Sequence, residues 1–506
     1  MDQSKHPQTH APTPERAIVV GGGISGLLAA KDLQAAGFAV SVYDAAPTWG
    51  GCVGVHEVAG VVLDSGAESF ATRNTAVADL LAELGLGANI VSPDPAGAWV
   101  WLPEGPVPLP RTGILGIPSD LHAPEVRAAL GKAGILRASL DATMPASVGT
   151  SEAVSSVAEL VRARMGRRVL ERLVAPVVAG VHSADPEVLD IDMVAPGLRA
   201  GIREHGSLAA AVAAQRAVGS PDGKPGSAVA GLAGGMHTMV DALVRQLRDA
   251  GVALHLGYAI TAVRHESAEA SPRSKRDGGA PAHWSVEWKH GSDTGAETAA
   301  VLVLATDGPT AVNLLGPEIP ELLPFAPAPG PDIRLVTLVV DVPELDSKPR
   351  GTGVLVAPQT PGISAKALTH ATAKWDWLAE STGPGTHVLR LSYGRAGVAA
   401  ADAVRLTARP VNDAELVATA LADATKLLGV QLGDADLLGA DVVRWKGTLP
   451  FAAVGHQGKM AQIQALVNKM PGLVVTGGWM HGNGLAAVVA GTRRRLRALV
   501  DSKAVK

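Results

Sequence analysis

The residues best placed to do chemistry are Gly21, Gly23 and Gly26, spaced Gly-x-Gly-x-x-Gly, with Asp44 following Gly21 by 23 positions. Glycines at this spacing suit a pyrophosphate. Gly21 permits a tight turn, Gly23 lets the phosphates approach the backbone, and Gly26 lets a following helix pack against a strand. Ile24 and Ser25 stand between them and bring further backbone amides to the helix start. A carboxylate at Asp44 can accept hydrogen bonds from a ribose diol. No Arg or Lys occurs in Ala45-Ala46-Pro47, so a ribose 2′-phosphate would meet repulsion there. Gly50-Gly51 and, far away, Gly477-Gly478 add two more places where backbone could approach a cofactor closely. The pair at 50–51 could equally be an ordinary turn. His56, His237, His456 and His481 lack metal-ligand spacing and read as structural, and no metal site is expected. No acid–base pair stands out. Cys52 is the single cysteine, so an intramolecular disulfide cannot form.

Positioning such a site requires a strand, a glycine turn, a helix and a second strand. Residues 17–20 are a short apolar run, Leu27, Leu28 and Leu33 fall on a helix that ends near Gly37, and residues 39–43 supply the second strand. Further along, residues 76–87 form a helical pattern stopped by glycine. From 119 to 204 the chain turns to Ala, Leu, Val and Arg at helical spacing, with Leu160, Met165, Val169 and Leu173 directed to a core. Arg162, Arg164, Arg167, Arg168 and Arg172 of that stretch read as a solvated basic face. The alternative is contact with an acidic substrate, a partner or anionic lipid. Strands at 252–256 and 301–306 complete the first sheet, and 333–437 is a separate α+β region. A strand at 473–479 running into glycines, then a helix, returns the chain to the cofactor.

Composition bounds the rest. The chain has 506 residues, 47% of them hydrophobic, enough for two or three domains with a sizeable core. A net charge of −4 gives no reason to expect nucleic acid. The polar N-terminal stretch lacks a signal peptide's apolar core, and no apolar run reaches membrane-span length. Together with the cysteine count this leads us to expect a cytoplasmic protein, with at most peripheral membrane contact.

The fingerprint, Gly50-Gly51, Gly66-Ala67-Glu68-Ser69-Phe70, Gly234-Gly235-Met236-His237-Thr238, Ala305-Thr306, Gly477-Gly478-Trp479 and Gly484-Leu485-Ala486 together resemble the flavin amine oxidase superfamily. Asp64 to Arg73 (DSGAESFATR), Leu109-Pro110, Val454-Gly455-His456 and the stretch from Arg444 and Trp445 to Pro450 are most similar to its protoporphyrinogen and coproporphyrinogen oxidases of the bacterial haem pathway. The resemblance implies an α/β fold: a Rossmann-type FAD-binding domain (16–90, 228–310 and 438–500), an inserted α+β substrate domain (91–118, 205–227 and 311–437) and a mostly helical third domain (119–204). It implies non-covalent FAD. Gly21, Gly23, Ile24, Ser25 and Gly26 would hold the pyrophosphate, with Asp44, and Ala45 beside it, at the ribose. Gly51, Gly66, Ala67, Glu68 and Ser69 would line the way to the flavin. Ile260 would meet adenine, and Trp445, Leu485 and Ala486 the isoalloxazine end. Trp49 stands where a basic residue is common before the paired glycines, which removes one expected phosphate contact. Arg73, with Asn74 beside it where some members carry Lys, would face the substrate. The activity implied is oxidation of coproporphyrinogen III by oxygen, with porphyrinogen and oxygen as partners and ferrochelatase as the next enzyme. Protoporphyrinogen IX oxidation, an amine or carotenoid-type oxidoreductase, and a redox-inactive carrier on the same fold are the alternatives.

Overall fold

The computed structural model describes residues 14–111, 113–151, 154–218, 229–266, 283–394, 412–445, 453–482 and 484–504. Strand β1 (Arg16–Val20) is buried from Ala17 onward because both faces of its sheet are covered, which explains its uninterrupted apolar run. Helices cover Ala17 and Val19, while Ile18 and Val20 are covered by the three-stranded antiparallel sheet Ala259–Glu266, His283–His290 and Asp293–Ala299 with helices beside it. Helix α1 (Ile24–Ala35) follows after three glycines and buries Leu27, Leu28, Ala29, Ala30 and Leu33. The chain returns as strand β2 (Ala39–Asp44), parallel to β1 from Arg16↔Ala39 to Val20↔Tyr43.

A five-stranded parallel sheet forms around this unit. Its order is Ala253–Leu256, β2, β1, Val301–Leu304, Leu473–Val475. Because β1 has its successor on one side and Val301–Leu304 on the other, the strand order reverses at its C-terminal end. Such a reversal leaves a crevice for a ligand at the strand ends. Helices His237–Asp249 and Leu485–Ala504 pack beside α1, so the last helix does come back to the first turn.

A second sheet has seven strands in the order Leu437–Trp445, Ile333–Asp341, Thr386–Tyr393, Ala367–His370, Gly353–Val356, Trp99–Leu102, Gly105–Pro108. Helix Asp413–Leu428 covers one face with Leu416, Ala420, Leu427 and neighbours. The hairpin of Val55–Val58 and Val61–Asp64 packs onto the opposite face through Val58 and Leu63, against Val339, Val388 and Trp375. Strand Leu437–Trp445 pairs with Ile333–Asp341 here, although the sequence placed 438 onward with the nucleotide unit. Its alternating exposure is that of an edge strand with one wet face, and it carries Trp445 to the boundary between the two sheets.

A helical lobe has its own core, including Leu160, Met165, Val169 and Leu173, all at most 1% exposed. Helices Leu198–His205 and Leu208–Val218 contribute Ile202, Leu208 and Val212 to it, so this lobe extends past 204. Its arginines do not form a free basic face. Arg164 is fully buried, donating through Nε to Asp141 at 2.6 Å and through Nη2 to the carbonyls of Asp141 and Gly206. Arg162 pairs with Glu187, Arg167 with Glu171, and Arg172 with Glu104, while Arg168 donates to the Leu130 carbonyl. Helical periodicity showed where they lie but not that acids in turns and carbonyls of neighbouring segments would reach them. Among the described residues no helix is long and apolar enough to cross a membrane. None of the described His, Cys, Asp and Glu residues cluster in threes to hold a metal.

Candidate functional site

The crevice at the end of β1 is built from glycines that serve different purposes. A Cβ on Gly26 would sit 1.7 Å from the Gly21 carbonyl oxygen, and one on Gly21, whose φ is +107°, 2.6 Å from the Ala305 oxygen. One on Gly22 would run into the Trp49 ring at 2.3 Å. These three are required by the protein's own packing. Gly23 is not: its φ of −74° suits any residue, and a Cβ there meets nothing nearer than the Gly50 oxygen and Gly51 Cα at 3.9 Å. The open space over Gly23 lies at the N-terminus of α1, where no side chain caps the first amides and no acid occupies the first turn. Free amides, a helix dipole and a reserved volume are what a pyrophosphate needs.

Asp44 is fixed at the neighbouring strand end. Its Oδ2 accepts from the Gly22 amide at 2.5 Å and its Oδ1 from the Ala46 amide at 2.7 Å, with Ala45 exposed between. This orients the carboxylate and leaves lone pairs for a ribose diol. The Asp44 carbonyl accepts from Tyr258, which brings Ile260, half-buried, to the same side.

From Gly23 the wall continues without a break. Gly50 bridges to Gly23 and donates to the Gly22 carbonyl, and a Cβ on Gly51 would lie 3.2 Å from Gly23 Cα. Cys52, half-buried, offers its carbonyl to the Ala67 amide at 2.9 Å. A Cβ on Gly66 would strike that same carbonyl at 2.1 Å and approach the Trp445 ring at 3.1 Å. Ile24, Ser25 and Ala486 are buried in the packing around α1, and Leu485 packs at its edge. The structure therefore gathers Gly21, Gly23, Ile24, Ser25, Gly26, Asp44, Gly51, Gly66, Ala67 and Trp445 along one track.

Two side chains behave differently from the sequence expectation. Glu68 turns away to an ion pair with Lys374 (2.5 Å) and lies 3.7 Å from Arg390. Burial alone would raise its carboxyl, but the two cations bring it down to about 2. Asn74 uses its Oδ1 to accept from the Ala76 amide at 2.8 Å, at the start of helix Ala76–Glu83. Arg73 is exposed on the same turn with no hydrogen bond or ion pair to a described residue, and Ser69 is half-buried nearby.

Sequence reasoning missed Lys374 and Arg390. Arg390 donates to the Gly66 carbonyl at 2.7 Å and the Asp64 carbonyl at 3.3 Å. Asp64 in turn accepts from the Met236 and His237 amides, each at 2.9 Å, and from His237 Nδ1 at 3.0 Å. That hydrogen bond holds the His237 imidazole above its usual pKa. The basic residues gave no periodic or motif signal; only their meeting in space marks them. The other histidines make structural bonds: His56 to Asp441, His456 to the Trp479 carbonyl, His481 to Thr476. Residues 446–450 and Asn483 lie outside the described residues.

A curated relative from Mycobacterium leprae, named coproporphyrinogen III oxidase, is 30% identical over 498 residues, covering 96% of this chain and 98% of its own. A Bacillus subtilis protein of the same name is 24% identical over 482 residues, covering 93% and 95%. A solved structure from Exiguobacterium sp. 255-15, provisionally named a protoporphyrinogen oxidase, superposes with a TM-score of 0.77 at 24% identity, covering 97% of this chain and 99% of that one. The family model for flavin containing amine oxidoreductases matches residues 24–494, from the first residue of α1 through the second sheet and the helical lobe into the returning helix. The chain belongs to the flavin containing amine oxidoreductases and is an FAD-dependent oxidoreductase.

Proposed function

We propose that this enzyme oxidises coproporphyrinogen III to coproporphyrin III in haem biosynthesis, with molecular oxygen as the terminal acceptor. The full-length match to the Mycobacterium leprae coproporphyrinogen III oxidase carries the reading. Six hydrogens leave the macrocycle in three two-electron rounds, and three molecules of oxygen become three of hydrogen peroxide. FAD supplies the two-electron chemistry of each round.

The chain's own residues bind, orient and enclose. The α1 amides and the space at Gly23 take the pyrophosphate, and Asp44 takes the ribose. Gly66, Ala67 and Trp445 form the wall on which the macrocycle side begins. Arg73, exposed and without a partner among the described residues, would take a substrate carboxylate in a two-pronged hydrogen bond. Among the described residues along the track no side-chain pair is arranged as acid and base. The nearest candidate, Asp64–His237, is occupied holding helix His237–Asp249. Proton and electron removal are accordingly left to the cofactor.

The test is anaerobic reduction of the bound flavin by coproporphyrinogen III and by protoporphyrinogen IX in parallel, with kcat/KM for both under oxygen. A higher kcat/KM for coproporphyrinogen III is expected. Preference for protoporphyrinogen IX would move the assignment to that substrate, and reduction by neither would remove the porphyrinogen reading.

A further inference from the structure

The loop at residues 64–68 is the next wall of the crevice after Gly51 and Cys52, yet two of the groups fixing it come from the other sheet. Arg390 stands on strand Thr386–Tyr393, and Lys374 ends the short helix Ala371–Lys374. Arg390 directs Nη2 and Nη1 to the carbonyls of Gly66 and Asp64. Those bonds hold the backbone but neutralise no charge. Lys374 takes the Glu68 carboxylate at 2.5 Å, with its ammonium also 4.9 Å from the centre of the Trp375 ring. The side chains of Glu68, Lys374 and Arg390 are only 15%, 16% and 17% exposed. Two cations thus share one carboxylate, which leaves one unit of positive charge in excess. The other acid on the loop, Asp64, is held apart from the triad by the Met236 and His237 amides and by His237 Nδ1, to all of which its carboxylate is hydrogen-bonded. At this depth the excess charge is weakly screened by solvent.

We propose that Lys374, Glu68 and Arg390 are positioning residues that fix the cofactor-facing loop from the second sheet and, through their single excess positive charge, favour the electron-rich reduced form of the FAD. Two-electron reduction adds negative charge to the flavin ring, and a nearby uncompensated cation lowers the energy of that charge relative to the oxidised state. The inference rests on FAD lying along residues 64–68, and it deepens the proposed oxidase reading. It does not depend on which substrate reduces the enzyme.

The experiment sets charge against packing. Lys374→Met brings the group to zero, Glu68→Gln to plus two, and the double variant back to plus one. The flavin midpoint potential is measured in purified holoenzyme by dye equilibration at fixed neutral pH, without porphyrinogen. Lys374→Met should shift it negative and Glu68→Gln positive, each by about 30 mV or more, a tenfold change in a two-electron equilibrium. The double variant should return to the wild-type potential, and Lys374→Arg should keep it. In turnover, Lys374→Met should lose kcat with KM little changed. If Lys374→Met fails to retain flavin, the double variant should recover it, because it also removes the buried carboxylate that has lost its closest counter-charge. Unchanged potentials in all three variants, with only the melting temperature lowered, would reduce the triad to an inter-sheet bolt and overturn the proposal. Absence of porphyrinogen turnover in the wild-type enzyme, with the signed shifts intact in the variants, would instead refute the substrate reading and leave this one standing.

Discussion

Replacing Gly23 by alanine separates a glycine kept for the ligand from glycines kept for the fold. The added methyl would sit on ordinary extended backbone (φ −74°, ψ 179°) with its nearest neighbours at 3.9 Å, an unstrained contact. Two small terms then act on the apoprotein. Loss of glycine's freedom in the unfolded chain stabilises by about 0.4–1 kcal/mol, and alanine is the poorer helix N-cap by roughly 1 kcal/mol. They nearly cancel, so apo Gly23→Ala should melt close to wild type. Its FAD affinity should not survive, because the methyl occupies the space through which phosphate oxygens reach the α1 amides. A hundredfold rise in Kd, about 2.7 kcal/mol, is the least expected. Gly26→Ala is the mirror case. Its methyl would lie 1.7 Å from the Gly21 oxygen and 3.3 Å from Val19 Cγ1, so α1 must move off β1. Overpacking against backbone costs on the order of 3 kcal/mol or more, and the apoprotein itself should destabilise. Thermal melts of both apoproteins and FAD titration followed by flavin fluorescence read the two effects independently. Wild-type FAD affinity in Gly23→Ala would refute the cradle, and a steep loss of apo stability there would show that the fold had needed that glycine after all.

Arg73→Ala should keep FAD and fold but lose roughly 1.5–3 kcal/mol in kcat/KM for coproporphyrinogen III, the range for a charged hydrogen bond, with partial recovery in Arg73→Lys; an unchanged kcat/KM would make Arg73 a surface residue. Asp141→Asn should destabilise by about 3–5 kcal/mol in denaturant unfolding, since it leaves the Arg164 guanidinium buried without its counter-charge; a loss under about 1 kcal/mol would mean that the carbonyl partners suffice. Stability should fall as pH drops from about 6.5 to 4.5. Burial holds His182 and His481 down at about 4, the latter aided by Arg495 and Arg494, and burial with the His387 and Lys348 charges holds His370 at about 3. Each is neutral when folded and gains a proton on unfolding, so each contributes up to about 1.4 kcal/mol per pH unit in that window. His237, whose folded pKa is raised by Asp64, has the opposite sign: its contribution is present below about 6.5 and lost as pH rises through the folded value. Flat unfolding free energies between pH 6.5 and 4.5 would contradict the net direction.

What the sequence disclosed and what it hid divide along the range of the interactions involved. The β1–α1–β2 unit was readable because its determinants are local. Burial on both faces forces a continuous apolar run at 17–20, and the turn geometry forces glycine at 21 and 26 within one helical turn. Gly23 was readable for a different reason: nothing in the chain demands it, and a residue the fold does not require points to a ligand. Strand Leu437–Trp445 was misassigned because an edge strand's neighbour is set by register with Ile333–Asp341, about a hundred residues earlier. Arg164 looked solvated because a helical repeat reports which face a residue occupies, not whether a neighbouring helix brings an Asp141 to it. The Glu68–Lys374 pair is the extreme of this series. Its partners are 306 positions apart in the chain, and each alone is an unremarkable charge beside a small or aromatic residue. Their significance lies in the sum of charges once desolvated. That sum exists only after the second sheet has docked on the hairpin through Val58, Leu63, Val388 and Trp375. On the proposal above, the apolar contact that seats the hairpin on the second sheet also brings this charge to the loop, and a substitution weakening it should move the flavin potential without touching a charge.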